Sequence, residues 1–427
     1  MGTSDTAIGI DFGTTNSAIA RSDGREVRLG RYGHDLLSVF RTLLFFQEPD
    51  PGTPPIPTAG PYAIEAYLED NEGRLIQSIK SYLTSESFKA TDVYGRHYTL
   101  DHLLTFFLKA LRTEAEKTLG RLDGPVVVGR PVQYVGEGPR HSEALALERM
   151  EKALGKAGFG APSFVYEPVG AAYQYEATLD HDELVMVADF GGGTSDFCLM
   201  YVGPGMRGSD RKAAIMGTDG VPIAGDVFDS RLVHHVVAPE LGLGSRYQTS
   251  PDHYMEVPKW LFGHLARWHL LSFLKGRKTI QMLIDMRSTA EAPEKLGNFL
   301  NLIREDLGYQ LFRRVEQAKI ALTDAAETHF LFEAGGAHIE RTITRGEFEG
   351  WIAGDVAEIA GSVDRLLKRT GADARDVDRV FMTGGTSYVP SVRRLFEARF
   401  GAERITLGDR FTSVAAGLAR AAADARA

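Results

Sequence analysis

The sequence predicts an α/β protein with two lobes, and three observations lead to this prediction. The chain has 427 residues, which is too long for one ordinary hydrophobic core and suits two packed lobes. Segments with strand-like and helix-like apolar spacing alternate along the chain, as they do in α/β proteins. One short turn motif occurs twice, at residues 8–16 and 187–196. A duplicated motif favours two lobes of related architecture.

Each copy of the motif is predicted to form a hairpin that binds phosphate. An apolar strand delivers Asp11 or Asp189 to its end, glycines follow, and a second apolar strand leads away. We expect the glycines to adopt positive φ angles in a tight turn. Backbone N–H groups and threonine hydroxyls in such a turn bind anions, and the Asp can hold a hydrated divalent cation beside them. Either hairpin alone could be an ordinary turn, but the pair favours two lobes that close on one nucleotide.

Composition and charge narrow the class of protein. The chain is 43% hydrophobic and 25% charged, as soluble globular proteins are, and its net charge of −9 disfavours a nucleic-acid or anionic-membrane surface. The single cysteine, Cys198, excludes an internal disulfide and fits a reducing cytoplasm. Residues 1–6 lack the regions of a signal peptide, and no apolar run reaches the ~20 residues of a membrane span. We therefore expect a cytoplasmic enzyme or switch.

Residues 1–183 are expected to form lobe I, which the C-terminal helix within residues 409–427 completes. The strands predicted here are 7–11, 17–21, 26–29, 43–46 and 125–131, and the helices are 100–119 and 141–157. The proline-rich segment 49–61 interrupts this pattern, so we expect an exposed loop there.

Residues 184–408 are expected to form lobe II, which begins with the second hairpin and a return strand at 213–216. A helix is predicted to start near Gly225 and Asp226, where glycine allows close approach and an acid suits the helix N terminus. Residues 244–308 have helical apolar spacing. Their stripe of large side chains, which is more often helix core than a binding surface, consists of Trp260, Leu261, Leu265, Trp268 and Leu271. The remaining predicted elements are helix 344–370, strand 379–383, helix 391–400 and helix 413–423.

Four further segments carry candidate chemistry. They are Ser-Ile-Lys-Ser-Tyr-Leu at 78–83, Val-Tyr-Glu-Pro-Val-Gly-Ala-Ala at 165–172, Glu-Gln-Ala-Lys-Ile-Ala-Leu-Thr at 316–323 and Gly-Gly-Thr-Ser-Tyr-Val-Pro at 384–390. Pro168 suits a first helical turn, which leaves Glu167 at the mouth of a helix. The spacing in 316–323 puts its Glu, Lys and Thr on one helix face.

These segments and the two hairpins together resemble the actin, sugar-kinase and heat-shock ATPase superfamily. Within it, nearly the whole chain resembles the ATPase domain of the seventy-kilodalton heat-shock (DnaK-type) chaperones. The resemblance implies a two-lobed actin-like fold with a duplicated ribonuclease-H-like motif, and ATP or ADP with Mg²⁺ in the cleft between the lobes. The chain is expected to be a short member without the peptide-binding domain. Residues 244–308 exceed the family's connection, so we expect an insertion that could contact an unknown protein partner.

The resemblance assigns the phosphate end of the site. Asp11 and Asp189 would flank a Mg²⁺ ion whose shell is largely water. The hairpin residues assigned to the phosphates are Gly13, Thr14, Thr15, Asn16, Gly191, Gly192, Gly193 and Thr194. Thr194 is also counted with the catalytic residues, beside Lys80, Glu167 and Asp196.

Three of these catalytic assignments have stated roles. Lys80 would approach the γ-phosphate, although its short motif leaves a solvated surface lysine open. Glu167 would order the water shell of the metal. Asp196 lies one pleat beyond Thr194 on the same strand face, where it could polarise the attacking water or help to bind a monovalent cation such as K⁺. Pro131 corresponds to the family's proline at an interlobe relay.

The adenosine end matches the family less fully. The residues assigned to it are Gly225, Asp226, Glu316, Lys319, Thr323, Gly384, Gly385, Thr386 and Tyr388. Ile320 stands where the family has an arginine that stacks on adenine, and Tyr388 replaces a second arginine. A tyrosine ring could stack on adenine instead. Nucleotide binding is therefore expected, while the purine preference stays open.

We interpret the sequence as that of a chaperone-like ATPase, in which slow Mg²⁺-dependent hydrolysis drives lobe closure and opening. One alternative is a small-molecule kinase of the same superfamily that phosphorylates a sugar or an acid. A second alternative is a nucleotide-binding scaffold without turnover, which acts through its inserted helices. Lys80, Glu167 and the 316–323 helix favour the first interpretation.

Overall fold

Strands and helices alternate along the chain, and the predicted mixed α/β class is confirmed. The computed structural model describes residues 6–47, 50, 53–69, 73–136, 142–207, 211–267, 270–409 and 412–425. The strands are β1 (Ala7–Phe12), β2 (Asn16–Ser22), β3 (Val27–Leu29), β4 (Phe40–Arg41), β5 (Leu43–Gln47), β6 (Pro57–Ala59), β7 (Gly73–Gln77), β8 (Thr91–Val93), β9 (Arg96–Tyr98), β10 (Val126–Arg130), β11 (Pro162–Tyr166), β12 (Glu183–Phe190), β13 (Ser195–Val202), β14 (Ile215–Val221), β15 (Arg246–Ser250), β16 (His253–Glu256), β17 (Glu327–Ala334), β18 (Ala337–Thr344), β19 (Arg379–Thr383) and β20 (Ile405–Leu407). The helices are α1 (Pro61–Glu69), α2 (Leu100–Leu119), α3 (Glu143–Lys156), α4 (Glu167–Glu176), α5 (Arg211–Ala214), α6 (Gly225–Leu232), α7 (Lys259–Leu265), α8 (Leu271–Leu274), α9 (Arg277–Ser288), α10 (Pro293–Arg304), α11 (Gly308–Asp324), α12 (Arg345–Thr370), α13 (Pro390–Phe400) and α14 (Ser413–Asp424).

Two sheets in the described chain are built to the same plan. The first has the strand order β11-β10-β1-β2-β3, with β4 also paired to β2, and the second has the order β20-β19-β12-β13-β14. In each sheet, the central strand pairs antiparallel with the next strand along the chain. On its other side it pairs parallel with a strand from much later in the sequence. This repeated order supports the predicted duplication.

Helices α4 and α14 connect the two sheets through one apolar core. Helix α14 packs on β1, β2 and β10, helix α4 packs on β12 and β13, and the two helices pack on each other. Val127 of the first sheet and Val187 of the second are buried in the same cluster with Leu418. A Cβ atom on Gly417 would overlap the carbonyl oxygen of Gly170, so the helices cross where neither has a side chain. The two sheets therefore share one apolar core, with α4 and α14 packed between them.

The chain divides into two compact units. The first consists of Met1–Ala224 and Glu358–Ala427 and contains both sheets. The second consists of Gly225–Ala357, in which α11 packs on α6 and on β17. Within this second unit, Arg231 donates two hydrogen bonds to Asp355, at 2.7 and 2.8 Å.

The predicted loop at 49–61 is wrong for its last residues. Strand β6 begins at Pro57 and pairs with β5, where Pro57 lies opposite Phe46, and helix α1 begins at Pro61. Because β6 is at the edge of its sheet, the N–H group that proline lacks is not needed there. Residues 48–49 and 51–52 lie outside the described residues.

Two predictions in the later chain also need correction. Residues 244–308 are not helical throughout, because the hairpin β15–β16 precedes helices α7 to α10. In the predicted stripe, Leu261 and Leu265 are buried, Trp260 is 44% exposed and Trp268 lies outside the described residues. The return strand is Ile215–Val221 rather than 213–216, because 211–214 form one helical turn.

Candidate functional site

The two predicted hairpins are present, and each turn lies at the carboxyl end of a central strand. The first turn joins β1 to β2, and the second joins β12 to β13. The expectation of positive φ angles is wrong for Gly13, Gly191 and Gly193. At position 13 the backbone leaves no room for a side chain, because a Cβ atom there would collide with the carbonyl oxygen of Asn16. The second turn is closed by a 2.9 Å hydrogen bond from the Gly191 N–H to the carbonyl oxygen of Thr194.

The two turns contact each other inside the first unit. A Cβ atom on Gly193 would lie 3.2 Å from the Thr14 hydroxyl oxygen and 3.1 Å from Cγ2 of Val135. Thr14 and Thr194 are both buried. The two motifs therefore lie side by side at the carboxyl ends of β1 and β12.

A buried ion pair lies beside these turns. Nζ of Lys80 donates to Oε1 of Glu167 at 2.6 Å, and the two side chains are only 10% and 7% exposed. Glu167 is the first residue of α4 and directly follows β11, with Pro168 in the first helical turn as predicted. Lys80 lies on the short 3₁₀ turn Ile79–Tyr82. The alternative of a solvated surface lysine is therefore wrong.

The carboxylates around this pair carry shifted pKa values. Burial and then the Glu167 carboxylate raise the pKa of Asp11 to about 7, while Lys80 acts in the opposite direction. Burial also raises the pKa of Asp189 well above its usual value, with added repulsion from Glu167, Asp11 and Asp196. Burial alone would lower the pKa of Lys80, but Glu167 and Asp11 outweigh it and raise the value. One lysine thus faces four carboxylates, and such a site favours further positive charge.

Asp196 is held by backbone groups that follow Pro131. It lies opposite Asp189 in the β12–β13 pairing. Its Oδ1 atom accepts from the N–H groups of Val132 at 2.6 Å and of Gln133 at 3.3 Å. Burial and then Glu167 raise the pKa of Asp196 to about 7, although the Thr194 hydroxyl and the Val132 N–H lower it.

The donor set fits Mg²⁺ bound through water and phosphate. Across the described ranges, no group of three His, Cys, Asp or Glu side chains is arranged to hold a metal ion. Mg²⁺ in nucleotide sites keeps several waters and binds one or two carboxylates together with phosphate oxygens. Asp11 and Asp189, which supply hard oxygen atoms next to the contacting turns, are suited to that mode.

The glycine turn at Gly384 lies next to the second hairpin. Thr383, the last residue of β19, is opposite Asp189 in the parallel pairing. Gly384 has a φ of 86°, and a Cβ atom on it would overlap the carbonyl oxygen of Phe190. The following residues form one 3₁₀ turn in which Thr386 is buried. The Tyr388 hydroxyl donates to the carbonyl oxygen of Gly408 at 3.3 Å.

The remaining predicted residues lie in the second unit, on α6 and α11. Lys319 of α11 donates to Oδ2 of Asp229 at 2.7 Å and to the carbonyl oxygen of Gly225 at 3.2 Å. Glu316 and Asp226 act electrostatically on this lysine. Helix α11 also carries Thr323, whose hydroxyl donates to a carbonyl of its own helix at 2.7 Å.

One of the assigned residues, Asn16, has a contact that was not expected, and one residue near the assigned set was missed. Oδ1 of Asn16 accepts from Nη1 of Arg41 at 3.3 Å. Ile320, at the position of the missing arginine, is 48% exposed. Asp229 had no predicted role, although it lies three residues after Asp226 and thus on the same helix face. That spacing could have marked it, but only the packing of α11 on α6 shows its lysine partner.

The described residues form an α/β protein in which one sheet plan occurs twice and the two glycine-containing turns lie close together. The family model described as Hsp70 protein matches residues 67–245 and 303–424, which is more than half of the chain. The chain therefore belongs to the Hsp70 family, and the predicted resemblance is confirmed. At the family level it is an ATP-binding, chaperone-type ATPase.

The family model leaves two parts of the chain unmatched, one in the middle and one at the start. It leaves out residues 246–302, which fall within the predicted insertion, and it begins after the first hairpin. The assignment of that hairpin consequently depends on the repeated sheet plan and on its contact with the second turn. In the part of the chain that the structure describes, no helix is long and apolar enough to cross a membrane.

Proposed function

We propose that this protein is a nucleotide switch, in which slow Mg²⁺-dependent hydrolysis of ATP opens and closes the two lobes predicted from the sequence. The observation that carries the proposal is the buried pair of Lys80 and Glu167, which lies among carboxylates beside the contacting turns. Transfer of a phosphoryl group to water needs neutralised phosphate charge and an oriented nucleophile. The first unit offers groups for both needs.

The roles of the side chains follow from their environment. Lys80, kept charged by its carboxylate neighbours, donates to the γ-phosphate. Glu167 holds that ammonium in position and orients nearby water. Asp11 and Asp189 would hold Mg²⁺ through water, and the bound ion would neutralise charge on the β- and γ-phosphates. Asp196, fixed by two backbone N–H groups, accepts a hydrogen bond from the attacking water.

Phosphate release in single-turnover experiments tests this proposal. Purified protein is mixed with radiolabelled ATP and Mg²⁺, alone and with a panel of sugars and small carboxylic acids. We expect ADP and inorganic phosphate to form at the same rate in every mixture. A phosphorylated sugar or acid would indicate the kinase alternative, and bound ATP that stays intact would indicate the scaffold.

We further propose that residues 246–302, which the family model does not match, contact a protein partner. Trp260 is 44% exposed and Phe273 is 57% exposed, and the ring of His264 contacts both. Pull-downs from cell extract are run with ADP and with a non-hydrolysable ATP analogue, using the wild type and a Trp260→Ala/Phe273→Ala variant. State-dependent capture that the variant loses supports this surface, and identical capture by both proteins contradicts it.

A further inference from the structure

Arg149 is a half-buried residue of α3 that binds the chain segment carrying Lys80. Its Nη1 atom donates to three backbone carbonyl oxygens, those of Tyr82 at 3.0 Å, Leu83 at 2.7 Å and Ser85 at 3.0 Å. An Nη1 atom has two N–H groups, so one of them is shared between two carbonyls. Because charged donors form stronger hydrogen bonds than neutral donors do, this one side chain fixes three carbonyls of a single turn.

The hydrogen bonds continue from this turn to the lysine itself. The N–H group of Leu83 donates to the carbonyl oxygen of Lys80 at 3.1 Å. Lys80 lies on the 3₁₀ turn Ile79–Tyr82, and its side chain reaches Glu167. Leu83 thus accepts from the guanidinium at its carbonyl oxygen and holds the lysine backbone through its N–H group.

The segment that carries Lys80 begins with a strained backbone. Ser78, which comes directly before the 3₁₀ turn, has a φ of 52°, in the left-handed region that favours glycine. Its side chain makes no hydrogen bond that caps the turn. A conformation of this kind persists only where the surrounding contacts hold it, and such residues concentrate at functional sites. The three hydrogen bonds from Arg149 are contacts of that kind at the other end of the segment.

We propose that Arg149 is a positioning residue, which fixes the backbone of residues 78–85 so that the Lys80 ammonium stays within reach of the γ-phosphate. This inference rests on the proposed hydrolysis of ATP. The Nη1 donors of Arg149 bind backbone carbonyls, so Arg149 acts on the reaction through Lys80. Such positioning matters, because a displacement of about 1 Å can slow a reaction by about 10²-fold.

Support of the fold alone is the competing explanation, and the first unit contains a matched control. Nη1 of Arg404 also donates to three carbonyl oxygens, at 3.4, 2.8 and 2.7 Å. Two of these carbonyls belong to another 3₁₀ turn, Ala374–Asp376, and the third is that of Val377. Neither Arg404 nor this turn belongs to the proposed site. Arg149→Met and Arg404→Met therefore remove the same kind of contact, and only the first removes it from the segment of the proposed chemistry.

The test measures single-turnover hydrolysis of Mg–ATP and the affinity for Mg–ADP, which lacks the γ-phosphate. Arg149→Met should slow hydrolysis by about 10- to 100-fold and leave ADP affinity within about twofold of the wild type. Arg404→Met should lower the melting temperature as Arg149→Met does, and it should keep the wild-type rate and affinity. In the Lys80→Ala background, Arg149→Met should slow hydrolysis no further, because Arg149 acts through the lysine.

The other outcomes contradict the positioning role. Equal losses of turnover and ADP affinity in Arg149→Met indicate support of the fold alone, and so does an equal loss of turnover in Arg404→Met. A further loss in the Lys80→Ala background shows that Arg149 does not act through the lysine. If Arg149→Met does not fold, Arg149→Lys keeps the charge but lacks the planar guanidinium, and wild-type turnover in that variant overturns the inference. A wild type that releases no phosphate overturns the proposed function and this inference with it, whereas a wild-type rate in Arg149→Met overturns this inference alone.

Discussion

Nζ of Lys80 lies 2.6 Å from Oε1 of Glu167, and the two residues are 87 positions apart in the chain. The pair joins the 3₁₀ turn after β7 to the first turn of α4. A buried charge needs a partner, and Glu167 together with Asp11 raises the pKa of Lys80 and keeps its ammonium charged. Loss of either residue is therefore expected to affect both the free energy of unfolding and the proposed hydrolysis of ATP.

Lys80→Ala is expected to reduce ATP turnover by ~10² or more while ADP affinity stays nearly constant, because ADP lacks the γ-phosphate. The free energy of unfolding should also fall, by about 3–5 kcal/mol, since Glu167 loses its buried partner. Single-turnover hydrolysis, calorimetric ADP titration and thermal unfolding measure the three quantities. Lys156→Ala, which removes an exposed lysine paired with Asp101, is the control. Equal losses of turnover and ADP binding would indicate that Lys80 is a general phosphate ligand.

Asp11→Asn and Asp189→Asn should each weaken Mg–ADP binding by ~1–3 kcal/mol, because each removes one charge from the proposed metal site. Calorimetric titration with Mg²⁺ and again with excess EDTA measures this, and the difference from the wild type should vanish without the metal. Asp364→Asn, in an exposed pair with Arg399, is the control. Unchanged Mg–ADP affinity in both variants would contradict the metal assignment.

Tyr388 is expected to stack on adenine through its ring. Tyr388→Ala should lose ~1–2 kcal/mol of ADP binding, and Tyr388→Phe should bind almost normally. The phenylalanine variant does lose the hydrogen bond to Gly408, so its thermal stability should fall slightly. Competition with a fluorescent adenine nucleotide measures binding, and inorganic phosphate should bind all variants alike. Wild-type affinity in the alanine variant would show that the base is held elsewhere.

Gly417→Ala is expected to destabilise the protein by ~1–3 kcal/mol, because its methyl group would overlap the Gly170 carbonyl where α4 and α14 cross. Gly350→Ala is the opposite case. Gly350 lies on exposed helix surface of α12 with no atom near the position of a Cβ, so alanine should stabilise by ~0.5–1 kcal/mol. Chemical denaturation of both variants measures the free energies. A Gly417→Ala variant as stable as the wild type would contradict the close crossing.

Cys198 should be inert toward thiol reagents in the folded protein. It is fully buried on β13, and burial raises the pKa of its thiol to about 12. At pH 8, a colorimetric thiol reagent should release no chromophore from native protein and one equivalent after denaturation. Rapid reaction of the native protein would show that β13 opens locally.

The strand and helix pattern was largely predictable because it depends on local spacing. Helix 100–119 and strand 379–383 were predicted with the observed bounds, since apolar periodicity and flanking polar residues define them. The hairpin β15–β16 was missed because its residues are mostly exposed and show no clean alternation. The edge strand β6 was missed because proline usually marks a loop.

The sequence by itself determined the residue types of the site, because the two Asp-containing turns and the 316–323 helix are local patterns that can be recognised one segment at a time. Only the tertiary structure decided which residues of these segments lie next to one another. The contact of Thr14 with Gly193, the burial of Lys80 against Glu167, and the hold of Asp229 on Lys319 all join residues far apart in the chain. Such contacts follow from how helices and sheets pack, and packing depends on the whole core rather than on any local spacing.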